Sequence, residues 1–368
     1  MKKQLTDLQT YLVDEFVEDY QHGHMSRRDA LKRIAAVSGS VAFASSLLAA
    51  CGPVATPTAT ATTAPPVKPA VLPTSTPPAA TPTRPMPTPT PANQPSTGPV
   101  GSPVPFPTPP QAVLTTTATM SVRPSPTVAA DVHVAPDDPA IATADVSFPS
   151  GSVNVLGYLA RPKGNGPFPA VLVAHENRGM VEYTKDVTRR LAKAGYVGLA
   201  VDLLSQQGGT DKISDPAQIP GVLGNTPADQ FVGYYQAGVD YLQKQPFVAK
   251  DRIGMVGFCF GGGMTWRTIT KTPAIKAAVP FYGPNPPLED VPGIQAAVLG
   301  IYGELDQRIT SGAAAIEEAM KKNGKVFEKI IYPGAAHAFH NDTGANYYPT
   351  AAQDAWAKTL AWFEKYLK

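Results

Sequence analysis

The run Arg252-Ile253-Gly254-Met255-Val256-Gly257-Phe258-Cys259-Phe260-Gly261-Gly262-Gly263 constrains this chain more than any other part of it. A short apolar stretch with strand character stops in a tight turn and passes into a predicted helix, Met264 to Thr270. This is the layout of a nucleophile elbow, with Cys259 at an apex where serine is commoner. Such a turn holds its central residue in a strained backbone conformation. Gly257 and Gly261, two before and two after, then let strand and helix approach without a Cβ clash. The turn lifts the thiol above the sheet edge, at the positive end of a helix that favours a thiolate and a developing oxyanion. Alone, Gly-x-Cys-x-Gly also describes a buried structural cysteine between chance glycines.

Two later segments separate these readings. Ala297 to Tyr302 reads as a buried strand, and the loop after it carries Asp306. Lys329 to Tyr332 reads as another, followed by Pro333-Gly334-Ala335-Ala336-His337-Ala338-Phe339. Nucleophile, acid and histidine, each just past a strand's carboxyl end, follow the order of the α/β-hydrolase triad. The chemistry needs these residue types: Cys259 to attack a carbonyl, His337 as general base and acid, and Asp306 to fix the imidazole tautomer and stabilise the imidazolium.

Around these points the pattern is α/β. Asp145–Phe148 and Val153–Ala160 flank Pro149-Ser150-Gly151-Ser152 and read as an antiparallel hairpin. Strands are expected at Pro169–Ala174, Tyr196–Val201, Ile253–Val256 and Ala277–Phe281, besides the two above. They alternate with helices at Val181–Ala194, Pro227–Gln245, Met264–Thr270, Ala313–Lys322 and Ala352–Tyr366. Continuous apolar strands between helices imply a mostly parallel central sheet covered on both faces, the α/β-hydrolase fold.

Thr143 to Lys368 resembles the dienelactone hydrolase family. The resemblance is carried by Val171-Leu172-Val173-Ala174-His175-Glu176-Asn177-Arg178-Gly179, the Gly-x-Cys-x-Gly elbow, Gly303-x-x-Asp306 and Tyr332-Pro333-Gly334-Ala335-Ala336-His337-Ala338-Phe339. It implies a carboxymethylenebutenolidase-like hydrolase of esters or lactones. It further implies that Glu176 hydrogen-bonds the resting thiol and gates its ionisation, and that the Asn177 and Phe260 amides form the oxyanion hole. The family's carboxylate-binding arginines have no counterpart in Leu203–Thr210 or just after His337. Arg178 and Arg308 are the candidates to replace them, and a neutral or larger ester is the expected substrate.

The front of the chain concerns location. More than half of the 40 prolines lie between Pro53 and Pro126, in a stretch of Thr, Ala and Pro. That composition cannot bury enough apolar side chain to offset ordering entropy, so 52–135 is expected to be a disordered linker, on the order of 200 Å long if fully extended. Residues 136–368 remain for one catalytic domain. Ahead of the linker, residues 1–51 read as a signal: Ser26-Arg27-Arg28-Asp29-Ala30-Leu31-Lys32 resembles a twin-arginine motif. The apolar run Ile34 to Ala50 suits an h-region, and Leu48-Ala49-Ala50-Cys51-Gly52 resembles a lipobox with Cys51 as the lipidation site. Cleaved and lipid-anchored, or kept as an uncleaved anchor, the signal places the domain outside the cytoplasmic membrane, as an exported bacterial lipoprotein.

With only Cys51 and Cys259, acylation of Cys51 leaves no possible internal disulfide. A net charge of +2 with no basic block in the domain offers nothing for nucleic acid. No cofactor or metal is expected: His337 and His340 are three apart, but no further ligand cluster supports a metal site. Asp202 is expected to hydrogen-bond its loop and His175 to brace the loop beside Glu176. The alternatives to a hydrolase are a catalytically silent, tethered binding lipoprotein and an acyltransferase using the same thioester.

Overall fold

In a computed structural model, residues 5–51 and 133–368 are described. Eight strands, β1 (Ile141–Ser150), β2 (Val153–Pro162), β3 (Phe168–Ala174), β4 (Val197–Val201), β5 (Val248–Phe258), β6 (Ile275–Phe281), β7 (Ala297–Gly303) and β8 (Phe327–Tyr332), form one sheet in the order β1-β2-β4-β3-β5-β6-β7-β8. The β1–β2 hairpin turns at Gly151, whose φ of 59° suits a residue without a Cβ. β2 pairs antiparallel with β4, and every later pairing is parallel. β4 and β7 are buried along their whole length, as their continuous apolar sequences require.

The helices are α1 (Asp7–Gln21), α2 (Arg27–Ser38), α3 (Val41–Ala50), α4 (Glu182–Lys193), α5 (Ile219–Asn225), α6 (Ala228–Gln243), α7 (Phe260–Lys271), α8 (Gln307–Thr310), α9 (Ala313–Lys322) and α10 (Pro349–Leu367). Strand register shows how both sheet faces are covered. Gly198 and Gly254 both pair with Val171; Thr188 of α4 sits over the first, and Phe363 and Leu367 of α10 over the second. One residue along, on the opposite face, Leu172 packs against Gly238 of α6. Gly257 meets α7 on that same face.

One boundary at the front of the chain needs correction. The linker expected over 52–135 falls outside the described residues except for its end, and that end is docked. The Val134 amide donates to Asp186 Oδ1 at 2.7 Å, and the Arg189 guanidinium donates to the Val134 carbonyl. The apolar run 34–50 is divided between two helices at its Ser and Gly interruption. α2 stops at Gly39, left-handed at φ 73°, and Ser40 caps α3 by accepting from the Phe43 amide. Among the described residues no helix is long and apolar enough to cross a membrane.

Residues 5–51 pack onto the sheet domain as part of the same compact unit. Thr6 and Gln9 form a reciprocal capping box at the start of α1. The helix buries Leu8, Tyr11, Leu12, Glu15 and Phe16, an i, i+3, i+4, i+7, i+8 stripe. Gln9 Nε2 donates to Asn225 Oδ1 at 2.9 Å and to the Val37 carbonyl at 3.1 Å, tying α1 to α5 and α2. Backbones approach closely at Gly221, where a Cβ would lie 2.7 Å from the Ala36 carbonyl oxygen.

The elbow makes the sharpest steric demand. A Cβ on Gly257 would sit 2.2 Å from the Gly261 carbonyl oxygen, and one on Gly261 would sit 2.3 Å from that of Ala174. Gly324, by contrast, has φ 63° with open space around it. Gly324→Ala should therefore cost only about 1 kcal/mol, from backbone strain alone. Gly261→Ala should cost more than about 2 kcal/mol, because backbone must move. Urea unfolding of the two variants checks this, and equal losses would contradict it.

Candidate active site

Cys259 lies between β5 and α7 with φ 57° and ψ −122°, a conformation that L-residues rarely adopt. Its amide donates to the Phe281 carbonyl at 3.1 Å, and its own carbonyl accepts from the Gly262 and Gly263 amides, which anchors the strained residue on both sides. The thiol is buried at 3% residue exposure, at the carboxyl end of the sheet.

Asp306 and His337 arrive from neighbouring strands. Asp306 follows β7, and its amide donates to Gly303 O at 3.1 Å. The loop after β8 is laced to the β7 loop: the Leu305 amide donates to Ala335 O at 2.9 Å and the Gly334 amide to Glu304 Oε2 at 2.8 Å. His337 Nδ1 then lies 2.6 Å from Asp306 Oδ2, the carboxylate being fully buried. His337 Nε2 has no hydrogen-bond partner among the described residues. A ring nitrogen of His337, Cys259 Sγ and a Glu15 carboxylate oxygen lie within 4.8 Å of one another. The structure thus brings together Cys259, Asp306 and His337.

Burial opposes a charge on His337, yet the Asp306 carboxylate and the neighbouring thiol position lift its pKa well above the ordinary histidine value. Burial, then the Glu15 carboxylate, push the Cys259 pKa up to about 11, against a lowering pull from His337. Burial and Glu15 thus oppose the thiolate, whereas Asp306 favours a charged imidazole.

The carboxylate expected on the thiol is not the one found there. Glu176 is buried after β3, but its Oε2 accepts from Asn341 Nδ2 at 2.7 Å, and its Oε1 has no partner. Burial raises its pKa to about 7 against that hydrogen bond. The thiol instead meets Glu15 of α1, with Sγ 3.4 Å from Oε1, and the Tyr11 hydroxyl, also at 3.4 Å. Glu15 Oε1 further accepts from Asn177 Nδ2 at 2.6 Å. Asn177 and Phe260, following Glu176 and Cys259 in the chain, are both buried beside the thiol's turn. Arg308 turns to the same helix: its Nε donates to Glu18 Oε2 at 3.0 Å and its guanidinium lies 4.7 Å from the Tyr11 ring centre. Arg178 is exposed on the wall of a cavity of about 370 Å³ that reaches Cys259 and His337, with α1 and α2 as its opposite wall.

Nearby polar residues have structural work. The Leu203 amide donates to His175 Nε2 at 3.2 Å, so Nδ1 carries the proton it shares with the Glu176 carbonyl at 2.7 Å; the neutral ring braces two loops. Asp202 accepts from the Leu204 and Thr210 amides and the Thr210 hydroxyl. His340 does not pair with His337. It contacts the Tyr183 hydroxyl at 2.7 Å and stacks on Phe258.

The fold is that of the α/β hydrolases, with a cysteine on the elbow. The dienelactone hydrolase family profile matches residues 155–367, and the chain belongs to that family. It is a hydrolase of lactone or ester bonds. Among its relatives, a protein from Methylorubrum extorquens provisionally named carboxymethylenebutenolidase is 35% identical over 265 residues, covering 69% of this chain and 90% of that one. A Bradyrhizobium protein, provisionally named 2-oxo-3-(5-oxofuran-2-ylidene)propanoate lactonase, is 36% identical over 58% of this chain and 90% of its own length. A solved Klebsiella pneumoniae structure, provisionally titled dienelactone hydrolase, superposes with a TM-score of 0.58 at 32% identity, covering 62% of this chain and all of that one.

His340 gives a pH prediction. Burial, then the Arg190 charge, lower its pKa from 6.5 to about 3. Between those values the unfolded chain binds a proton that the folded chain refuses. Stability is therefore complete above about pH 6.5 and falls as pH drops toward 3. His340→Gln, though less stable at pH 7 from lost packing, should show a shallower fall in Tm between pH 6.5 and 4. Parallel slopes for the two proteins would refute the assignment.

Proposed function

We propose that this protein hydrolyses neutral carboxylic esters or lactones through a thioester on Cys259. The observation that carries this reading is the convergence of Cys259, His337 and Asp306 at one end of the sheet, each from a different strand end. His337 Nε2 takes the thiol proton while Asp306 holds Nδ1–H and stabilises the imidazolium. The thiolate adds to the carbonyl carbon, and the oxyanion is received by the Asn177 and Phe260 amides. Collapse breaks the acyl C–O bond, the leaving alkoxide takes the proton from His337, and a thioester remains. Water then gives a proton to His337 and adds to the thioester. Collapse expels the thiolate, which recovers the proton as the acid departs. Each oxyanion donor in such a site is worth about 10²–10³ in turnover.

The cavity chemistry supports a neutral substrate. Glu15, Asp19 and Glu176 line it together with Arg33 and Arg178, and Arg308 is engaged by Glu18. Nearest the thiol is the Glu15 carboxylate, which is like in charge to an anionic lactone while α1 is docked.

The same reading extends to location: an exported lipoprotein acylated at Cys51. Arg27 and Arg28 are exposed at the start of α2, where Ser26 accepts from the Asp29 amide, so a folded chain presents the paired arginines to solvent. That exposure is compatible with export after folding.

Mixing the protein with p-nitrophenyl acetate and quenching early should leave an acetyl adduct on Cys259, seen by mass spectrometry. Cys259→Ala should remain folded and lose p-nitrophenyl acetate hydrolysis by at least about 10³. Full activity in that variant, or hydrolysis with no adduct on Cys259 at any quench time, would defeat the mechanism.

A further inference from the structure

We propose that Glu15, carried by the N-terminal helix α1, is the carboxylate that holds the catalytic thiol neutral and that α1 thereby masks the nucleophile. The consequence for turnover rests on the reading of Cys259 as nucleophile; the masking of the thiol does not.

Three contacts carry this inference. Glu15 Oε1 lies 3.4 Å and Oε2 3.7 Å from Cys259 Sγ, so the thiol proton bridges to the carboxylate. Asn177 Nδ2 donates to Oε1 at 2.6 Å and fixes the carboxylate beside the thiol. Tyr11, one helical turn earlier on the same face of α1, sets its hydroxyl 3.4 Å from the same sulfur. A fixed negative charge beside a buried thiol disfavours the thiolate, and a neutral S–H is a poor nucleophile and slow to oxidise. The other groups bearing on the thiol are His337, which favours ionisation, and Glu176, which opposes it from beyond hydrogen-bond contact. Arg308, bound to Glu18 and stacked on Tyr11, faces α1 and steadies it.

The docking is built rather than incidental. Glu15 is 6% exposed although it is charged, and its helix is seated by Leu12 and Phe16, both almost completely buried. A carboxylate taken that far from water must be hydrogen-bonded; the thiol and Asn177 bond it, and His337 Nε2 faces its Oε1 at 3.9 Å. Because Glu15 precedes Cys51, cleavage before Cys51 would turn this tethered cap into one that dissociates, with loss of the high effective concentration that a covalent link provides.

The test uses the full chain with Cys51→Ser, leaving Cys259 as the sole thiol, and follows iodoacetamide labelling of Cys259 from pH 5 to 9. Glu15→Gln keeps the shape and the Asn177 contact but removes the charge. It should speed labelling at pH 7 roughly tenfold and shift the pH profile about one unit to lower pH. Glu15→Asp, which restores the charge, should return the profile toward the parent. Gly221→Leu, remote from the thiol, wedges α2 away and should also speed labelling; Phe16→Asp on α1 reports the same release should that variant fail to fold. Labelling in folded Glu15→Gln that matches the parent, or slower labelling on undocking, overturns the proposal. Absence of any acetyl adduct while labelling behaves as expected would fell the hydrolase mechanism and leave this inference standing.

Discussion

The strained backbone at Cys259 is the point on which the rest of the site depends. A φ of 57° at a residue with a side chain costs on the order of 1–3 kcal/mol, and it persists only where the surroundings over-determine it. Here the Cys259 amide is bonded across to β6, its carbonyl is bonded into the first turn of α7, and glycines at 257 and 261 admit contacts no side chain would permit. Gly262 extends the demand: a Cβ there would lie 2.3 Å from the Phe281 carbonyl oxygen. The aromatic layer of Phe258, Phe281 and His340 beneath the turn is the packing that holds it. Function and fold compete at one residue, and the core supplies the difference.

Charge placement then decides the resting state of the site. Glu15 and Glu176 bear on the thiol and Asp19 lines the same cavity; burial raises the pKa of Glu176 to about 7 and, with Glu15, that of Asp19 to about 6. Each additional negative charge in this space makes the thiolate less favourable, while Asp306 makes a charged His337 more favourable. The thiol and the imidazole are therefore pulled in opposite directions. Removing the Glu15 carboxylate lowers the electrostatic cost of the thiolate.

Most of the sheet was legible because parallel strands buried on both faces are written as unbroken apolar runs. The elbow was legible because its glycines sit at fixed spacing around one cysteine. Strand β5 runs five residues earlier than its apolar segment suggests, since Val248 to Arg252 includes polar positions at the exposed entrance of the strand. α7 begins at Phe260 because Gly261, Gly262 and Gly263, poor helix formers, are held by contacts with neighbouring backbone rather than by propensity. The N-terminal helices were hidden by competing signals. Thr6 with Gln9 is a capping box, and Leu8, Tyr11, Leu12, Glu15 and Phe16 have helical spacing, yet the acid among them interrupts the apolar stripe. Nothing in spacing alone could say that this one carboxylate faces a thiol 244 positions away. Glu176 follows β3 as its sequence neighbours require, but Asn341, from a distant loop, captures its carboxylate.

The double character of the first fifty residues has a consistent physical basis. In α2, Ala30, Ile34 and Val37 face the domain while Arg27 and Arg28 face solvent. The paired arginines and the docking contacts of α2 therefore lie on opposite faces of one helix. α3 adds a short apolar segment ending at Cys51, and beyond it the sequence turns to Pro and Thr. The docking contacts are mostly side-chain packing on α5 with few ion pairs. Asp7 with Arg267 is exposed, and Glu18 with Arg308 is partly so. Exposed pairs contribute little, about 0–1 kcal/mol each. The hold of the cap on the domain therefore rests on Leu12, Phe16 and the Gly221 contact, and its release is governed by apolar burial more than by salt.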